Sequence, residues 1–224
     1  MQERKKKLWT PRMMAITAML CALAYVAVAV GRIPVILFLK YDPKDAIIAL
    51  GGFIWGPIVS FVASVIVSFV EMITISDNGL WGFVMNIAST CSFACVAAFV
   101  YRRKRTLSGA LLGLILGSVS MAVVMLFWNY LITPIYMKAP REQVAGMLLP
   151  VFLPFNLLKA GLNAGITYFL YKPVVTALRK AGFAESQSEQ AEKKPTWVYL
   201  AVYAAFALVI ATCIWFILSF NGVV

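Results

Sequence analysis

Three polar side chains lie in a stretch where lipid offers them no partner. Asn156, Lys159 and Asn163 fall inside an apolar run from Leu148 to Tyr171, long enough to cross a bilayer. Spacings of i, i+3 and i+7 put all three on one helical face. A lysine at the centre of a membrane helix costs about 2.5 kcal/mol or more, and hydrocarbon cannot satisfy its donors. That face must therefore look at protein, water or ligand. Ammonium and carboxamide groups in such a place can pair with a buried carboxylate, or donate to the carbonyls and ring nitrogens of a small molecule. Catalysis is the weaker reading. The chain has no histidine, and so lacks the usual general base. It also has no HExxH, no paired glutamates and no serine one turn from Lys159 on that helix.

The elements that must position this face are membrane helices. Over 224 residues, 62% are hydrophobic and mean hydropathy is +0.86, beyond the range of a soluble globule. The net charge of +11 would suggest nucleic acid in a soluble protein. Here the basic residues cluster between apolar segments, where they set orientation, and no nucleic-acid partner is expected. Cys21, Cys91, Cys95 and Cys213 lie in apolar runs, form no CxxC pair and have no histidine to complete a zinc site. They read as packing residues, with no metal and no cofactor expected.

The pattern predicts an all-α, polytopic helix bundle. Residues 1–10 form a basic arm with no small-residue cleavage site after it, so the first apolar run reads as a retained helix. Helices are expected at about 11–30, 45–53, 58–72, 80–101, 107–128 and 148–171, within a membrane domain spanning 11–182. Residues 33–42 are apolar and β-rich but too short to span, which predicts an extended loop or short strand folded back over the protein. Residues 131–147 are expected as a loop and 183–195 as a polar linker. Residues 196–224 hold a further apolar run, Trp197 to Phe220, expected as a seventh helix.

The arm with Arg12, the cluster Arg102–Arg105 and residues 172–194 carry most of the 20 Lys and Arg. By the positive-inside rule they face the cytoplasm, and the loops at 31–44, 73–79 and 130–147 lie outside. Glu71, Asn86, Asn129, Asn156 and Lys159, from four helices, then converge on one outer level. Convergent polar groups in an apolar surround describe a small-molecule pocket, and the apolar loop at 33–41 hangs over it.

Three patches carry a resemblance. They are Tyr41-Asp42-Pro43-Lys44-Asp45 leading to Gly52-Phe53-Ile54-Trp55-Gly56-Pro57, then Asn129-Tyr130-Leu131-Ile132-Thr133-Pro134-Ile135-Tyr136, then Pro154-Phe155-Asn156-Leu157-Leu158-Lys159. In this order the chain, over about residues 10–180, resembles the riboflavin-specific S component of energy-coupling factor (ECF) vitamin transporters. The resemblance implies six membrane helices and a riboflavin site on the outer side of a bacterial cell membrane, under the loop joining helices one and two. It implies ligand contacts at Asn129, Asn156, Lys159 and Glu71, with loop contacts near Leu39 and Lys40. Asn86 joins this set by its depth. It also implies docking through Ala18 and Ala22, spaced AxxxA, onto a transmembrane coupling subunit with two ATPases. Such spacing lets helix backbones approach closely in lipid. The C-terminal apolar run departs from the six-helix pattern. Another vitamin or flavin as ligand, or a self-sufficient secondary transporter, remain the alternatives. A self-sufficient transporter would show repeats or ionisable relays along its whole path, and the chain has no P-loop of its own.

The orientation is testable by labelling. With the native cysteines removed, a cysteine at Gln143 reacts with an impermeant reagent in intact cells, and one at Ser108 does not. The reverse pattern would invert the topology.

Overall fold

The computed structural model describes residues 10–182. The basic arm at 1–9, the linker and the C-terminal apolar run lie outside the described residues. The elements in chain order are α1 (Pro11–Gly31), β1 (Ile33–Ile36), β2 (Leu39–Tyr41), α2 (Lys44–Trp55), α3 (Pro57–Thr74), α4 (Gly79–Thr90), α5 (Val96–Arg103), α6 (Leu107–Met137), α7 (Arg141–Met147) and α8 (Leu153–Lys180). A π-helical turn at Cys91–Cys95 joins α4 to α5, and another at Leu148–Phe152 joins α7 to α8. The described residues thus make six helical passes, five of them long and apolar enough to cross a membrane. The sixth, α2, has 12 residues and is too short.

Local chemistry sets the ends. Thr10 caps α1 by accepting from the Met13 amide, with proline in the first turn. Thr106 caps α6 through the Gly109 amide. Gly56 takes φ 105° between α2 and α3, a conformation that an L side chain rarely adopts. The segment 33–42 forms an antiparallel hairpin, pairing Ile33 with Tyr41, Pro34 with Lys40 and Ile36 with Leu39. Two strands alone are marginal in water. This pair is held by an apolar cluster of Val35, Leu39, Tyr41, Val144, Phe152 and Phe155.

Two expectations are corrected. The fifth helix does not stop at Trp128 but runs to Met137, through Pro134. Proline removes one backbone bond, and tertiary contacts hold the added turns. Tyr136 donates to Asn78 Oδ1 at 2.7 Å, and its ring meets Phe38 edge-on at 5.1 Å. The expected loop at 131–147 is therefore largely helical, and α7 buries Val144 against the hairpin.

At the far end from the hairpin, Phe53, Tyr101 and Tyr171 pack together and the two phenols share a 2.5 Å hydrogen bond. The α5–α6 crossing is closer still. A Cβ at Gly113 would stand 2.6 Å from Ala97 O, and one at Gly117 2.6 Å from Phe93 O. Gly117→Val should lower stability by about 1–3 kcal/mol, the usual cost of overpacking, read as a lower melting temperature in detergent. An unchanged melting point would refute the close crossing.

Candidate ligand pocket

The site grows from the base of the hairpin. Arg32 precedes β1 and Asp42 follows β2, so the two stand side by side, and Arg32 Nε donates to Asp42 Oδ1 at 2.7 Å. The same guanidinium reaches α3, where Nη2 donates to Glu71 Oε2 at 2.5 Å. Lys44, at the start of α2, donates to Glu71 Oε1. Lys159 of α8 faces Asp42 Oδ2 at 3.4 Å and Asp45 Oδ2 at 3.5 Å. Three cations and three carboxylates thus form one network, and all but Arg32 are buried.

Neutral groups complete it. Asn86 Nδ2 donates to Glu71 Oε2 at 3.2 Å, and Thr90 Oγ1 donates to Asp45 Oδ1 at 2.6 Å. Asn163 Nδ2 donates to the Asp42 carbonyl, and its Oδ1 accepts from Tyr41. Asp45 sits in the first turn of α2, where the helix dipole favours a carboxylate. Burial pushes the Asp42 carboxyl up, but the charges of Lys159, Lys44 and Arg32 outweigh it and hold the group below its ordinary value. Burial likewise opposes the charge on Arg32, and Asp42 and Glu71 raise it above the usual guanidinium range. Asp42 therefore stabilises the fold fully above the ordinary carboxylate range, and that contribution is lost as pH falls through its lowered folded value.

Beside the network lies a small pocket of about 70 Å³, open at its mouth. Phe38, Leu39, Met85, Met125 and Phe155 give it apolar walls. Asn86, Asn156, Ser89, Lys159, Arg32 and Asp42 supply polar groups, with Lys40, Ser76, Asp77, Asn78 and Gly82 completing the lining. Lys40 and Asp77 pair across it, tying β2 to the turn before α4.

The structure brings Asn86, Asn156, Lys159, Leu39 and Lys40 onto this wall. Glu71 and Asn129 lie behind it, each fully buried. Asn156 Nδ2 donates to Phe152 O at 2.7 Å, which fixes the amide. Asn129 Oδ1 accepts from Thr133, while its Nδ2 has no partner among the described residues. It stands one turn from Met125, a wall residue. Ala18 and Ala22 are exposed on α1 among the exposed Met14, Met19 and Leu23, so they are not packed inside the bundle that the described residues form. The buried carboxylate that the sequence allows Lys159 is present. The structure gives Lys159 to Asp42 and Asp45, and Glu71 to Arg32 and Lys44. The sequence did not single out Arg32, Asp42, Lys44 and Asp45 as site groups. Their signal was alternating charge at both ends of an apolar loop.

A membrane helix bundle with a capped polar pocket is the architecture of a membrane ligand-binding protein. The family model for the ECF transporter substrate-specific component matches residues 12–171, and the chain belongs to that family. No curated relative matches it. Among solved structures it is similar to the one described as "Structure and mechanism of the S component of a bacterial ECF transporter". Identity there is 24%, the match covers 75% of this chain and 97% of that one, and the TM-score is 0.63. At that identity the likeness shows the fold. The family is a transporter component, not an enzyme class, and works with a module of transmembrane and ATPase subunits.

The pairing of Lys159 is open to a direct test. Lys159→Met leaves the buried Asp45 without a cation and Asp42 with Arg32 alone, and should cost about 3–5 kcal/mol of stability. Adding Asp45→Asn should restore part of it, whereas adding Glu71→Gln should not. Rescue by Glu71→Gln alone would reassign the partner.

Proposed function

We propose that this protein is the riboflavin-binding component of an ECF transporter, facing the outside of a bacterial cell membrane with its N-terminus in the cytoplasm. The observation that carries the reading is the unpartnered Asn129 donor, buried beside a wall of aromatic rings and thioethers that also presents Asn156 and Lys159. A flat, amphipathic ring system suits that combination. Phe38, Phe155 and the two methionines bury its faces. Asn129, Asn156 and Lys159 donate to its carbonyls and ring nitrogens. Asn86 and the hairpin residues Leu39 and Lys40 meet the ligand nearer the mouth. Glu71 serves from behind by holding Asn86 and Arg32 in place.

Energy comes from the partner module. The exposed Ala18 and Ala22 present a small-residue surface on which another membrane helix can seat closely. The basic Arg102–Arg105 stretch sits at the opposite end of the bundle from the pocket, in keeping with a cytoplasmic side.

Titration of riboflavin into the detergent-purified protein should quench flavin fluorescence to saturation at one equivalent. Asn129→Leu removes the unpaired donor at nearly constant volume. It should weaken binding by about 1 kcal/mol, roughly fivefold, without lowering the melting temperature, because Thr133 can turn to its own helix backbone. Undiminished affinity would remove Asn129 from the site, and absence of any flavin binding would sink the proposed ligand.

A further inference from the structure

Every charged side chain on the pocket wall has a partner of opposite sign among the described residues. Arg32 holds Asp42 and Glu71, Lys159 faces Asp42 and Asp45, and Lys40 holds Asp77. These pairs are not equivalent. Asp42, Asp45 and Glu71 are buried, and taking a cation from any of them would strand a charge away from water. The Asp77 side chain is 76% exposed and that of Lys40 31%. An exposed pair of this kind contributes little to stability. Lys40 is thus the wall cation that a ligand could recruit at least cost, and Asp77 is what it would have to displace.

Resting on the flavin reading above, we propose that Asp77 is a specificity-determining residue. By holding Lys40 at the rim of the pocket it bars ligands that carry a phosphate and selects the uncharged vitamin over its phosphate ester. A phosphate monoester brings a charge of about −1.5 to −2 at neutral pH. It would meet the Asp77 carboxylate at the rim, and a balanced network deeper in. Lysine is a natural phosphate partner, but this one is occupied. The Lys40 hydrogen bond keeps the Asp77 carboxyl below its ordinary value, and an aspartate is ionised at neutral pH even without it. Discrimination here comes from a repulsive element rather than from a better fit to the favoured ligand.

The test is a pair of titrations at one fixed ionic strength, with riboflavin and with riboflavin 5′-phosphate. Native protein, Asp77→Asn, and Asp77→Asn combined with Lys40→Met are compared by the ratio of the two dissociation constants. In Asp77→Asn the ratio should move toward the phosphate ester by on the order of tenfold, the scale of one surface charge screened by salt. In the double variant it should return to the native value. A ratio unchanged in Asp77→Asn overturns the proposal, and so does a shift that survives the loss of Lys40. Native protein that binds neither flavin overturns the flavin reading itself, and this inference with it. The native titration alone reports that outcome.

Discussion

The contact of Arg32 with Asp42 and Glu71 is the constraint on which the pocket depends. A guanidinium at the foot of a short hairpin holds one carboxylate from its own loop and one from the interior of the bundle. Neither acid is open to water, and each would be costly alone. Lys44 and Lys159 supply the remaining positive charge, and Asp45 the remaining negative, so the network closes with three charges of each sign. Buried ion pairs are not in general more stable than apolar side chains of the same volume. What these charges add is geometry. Each cation bridges separate elements: Arg32 joins the hairpin to α3, Lys44 joins α2 to α3, and Lys159 joins α8 to the hairpin and α2.

That geometry explains how a two-stranded sheet can roof a cavity. The hairpin has few contacts of its own, and it is fastened twice. At its base the charges anchor it, and Asn163 adds a hydrogen bond to the Asp42 carbonyl. At its tip Phe38 packs between Tyr136 and Phe152. The second fastening requires α6 to run past Pro134, because Tyr136 lies in the added turns. The pocket therefore draws its walls from four elements and its rigidity from contacts just outside its lining.

The membrane made much of this legible in the sequence. Lipid permits few polar residues, so Lys159, Asn156, Asn86, Asn129 and Glu71 stood out, and the helices that carry them followed from apolar run lengths. What escaped was partnership. Arg32 and Glu71 are 39 residues apart, and Lys159 and Asp42 are 117. No local pattern joins such pairs, and the charges at 42–45 open α2 as well as entering the network. The end of α6 was misplaced because Asn129 and Pro134 are ordinary stop signals. Contacts with Asn78 and Phe38 override them, and neither is near in sequence. The glycines at 113 and 117 were visible all along, but their meaning as a close crossing needs the facing carbonyls of Phe93 and Ala97.

The central claim is that one buried charge network ties the hairpin to the bundle. The most direct measurement is a double-mutant cycle on Arg32 and Glu71, using melting in detergent of Arg32→Met, Glu71→Gln and the pair. The network predicts that the single losses exceed what the double variant loses, with a coupling of about 1.5 kcal/mol or more. Strict additivity of the two substitutions would contradict it.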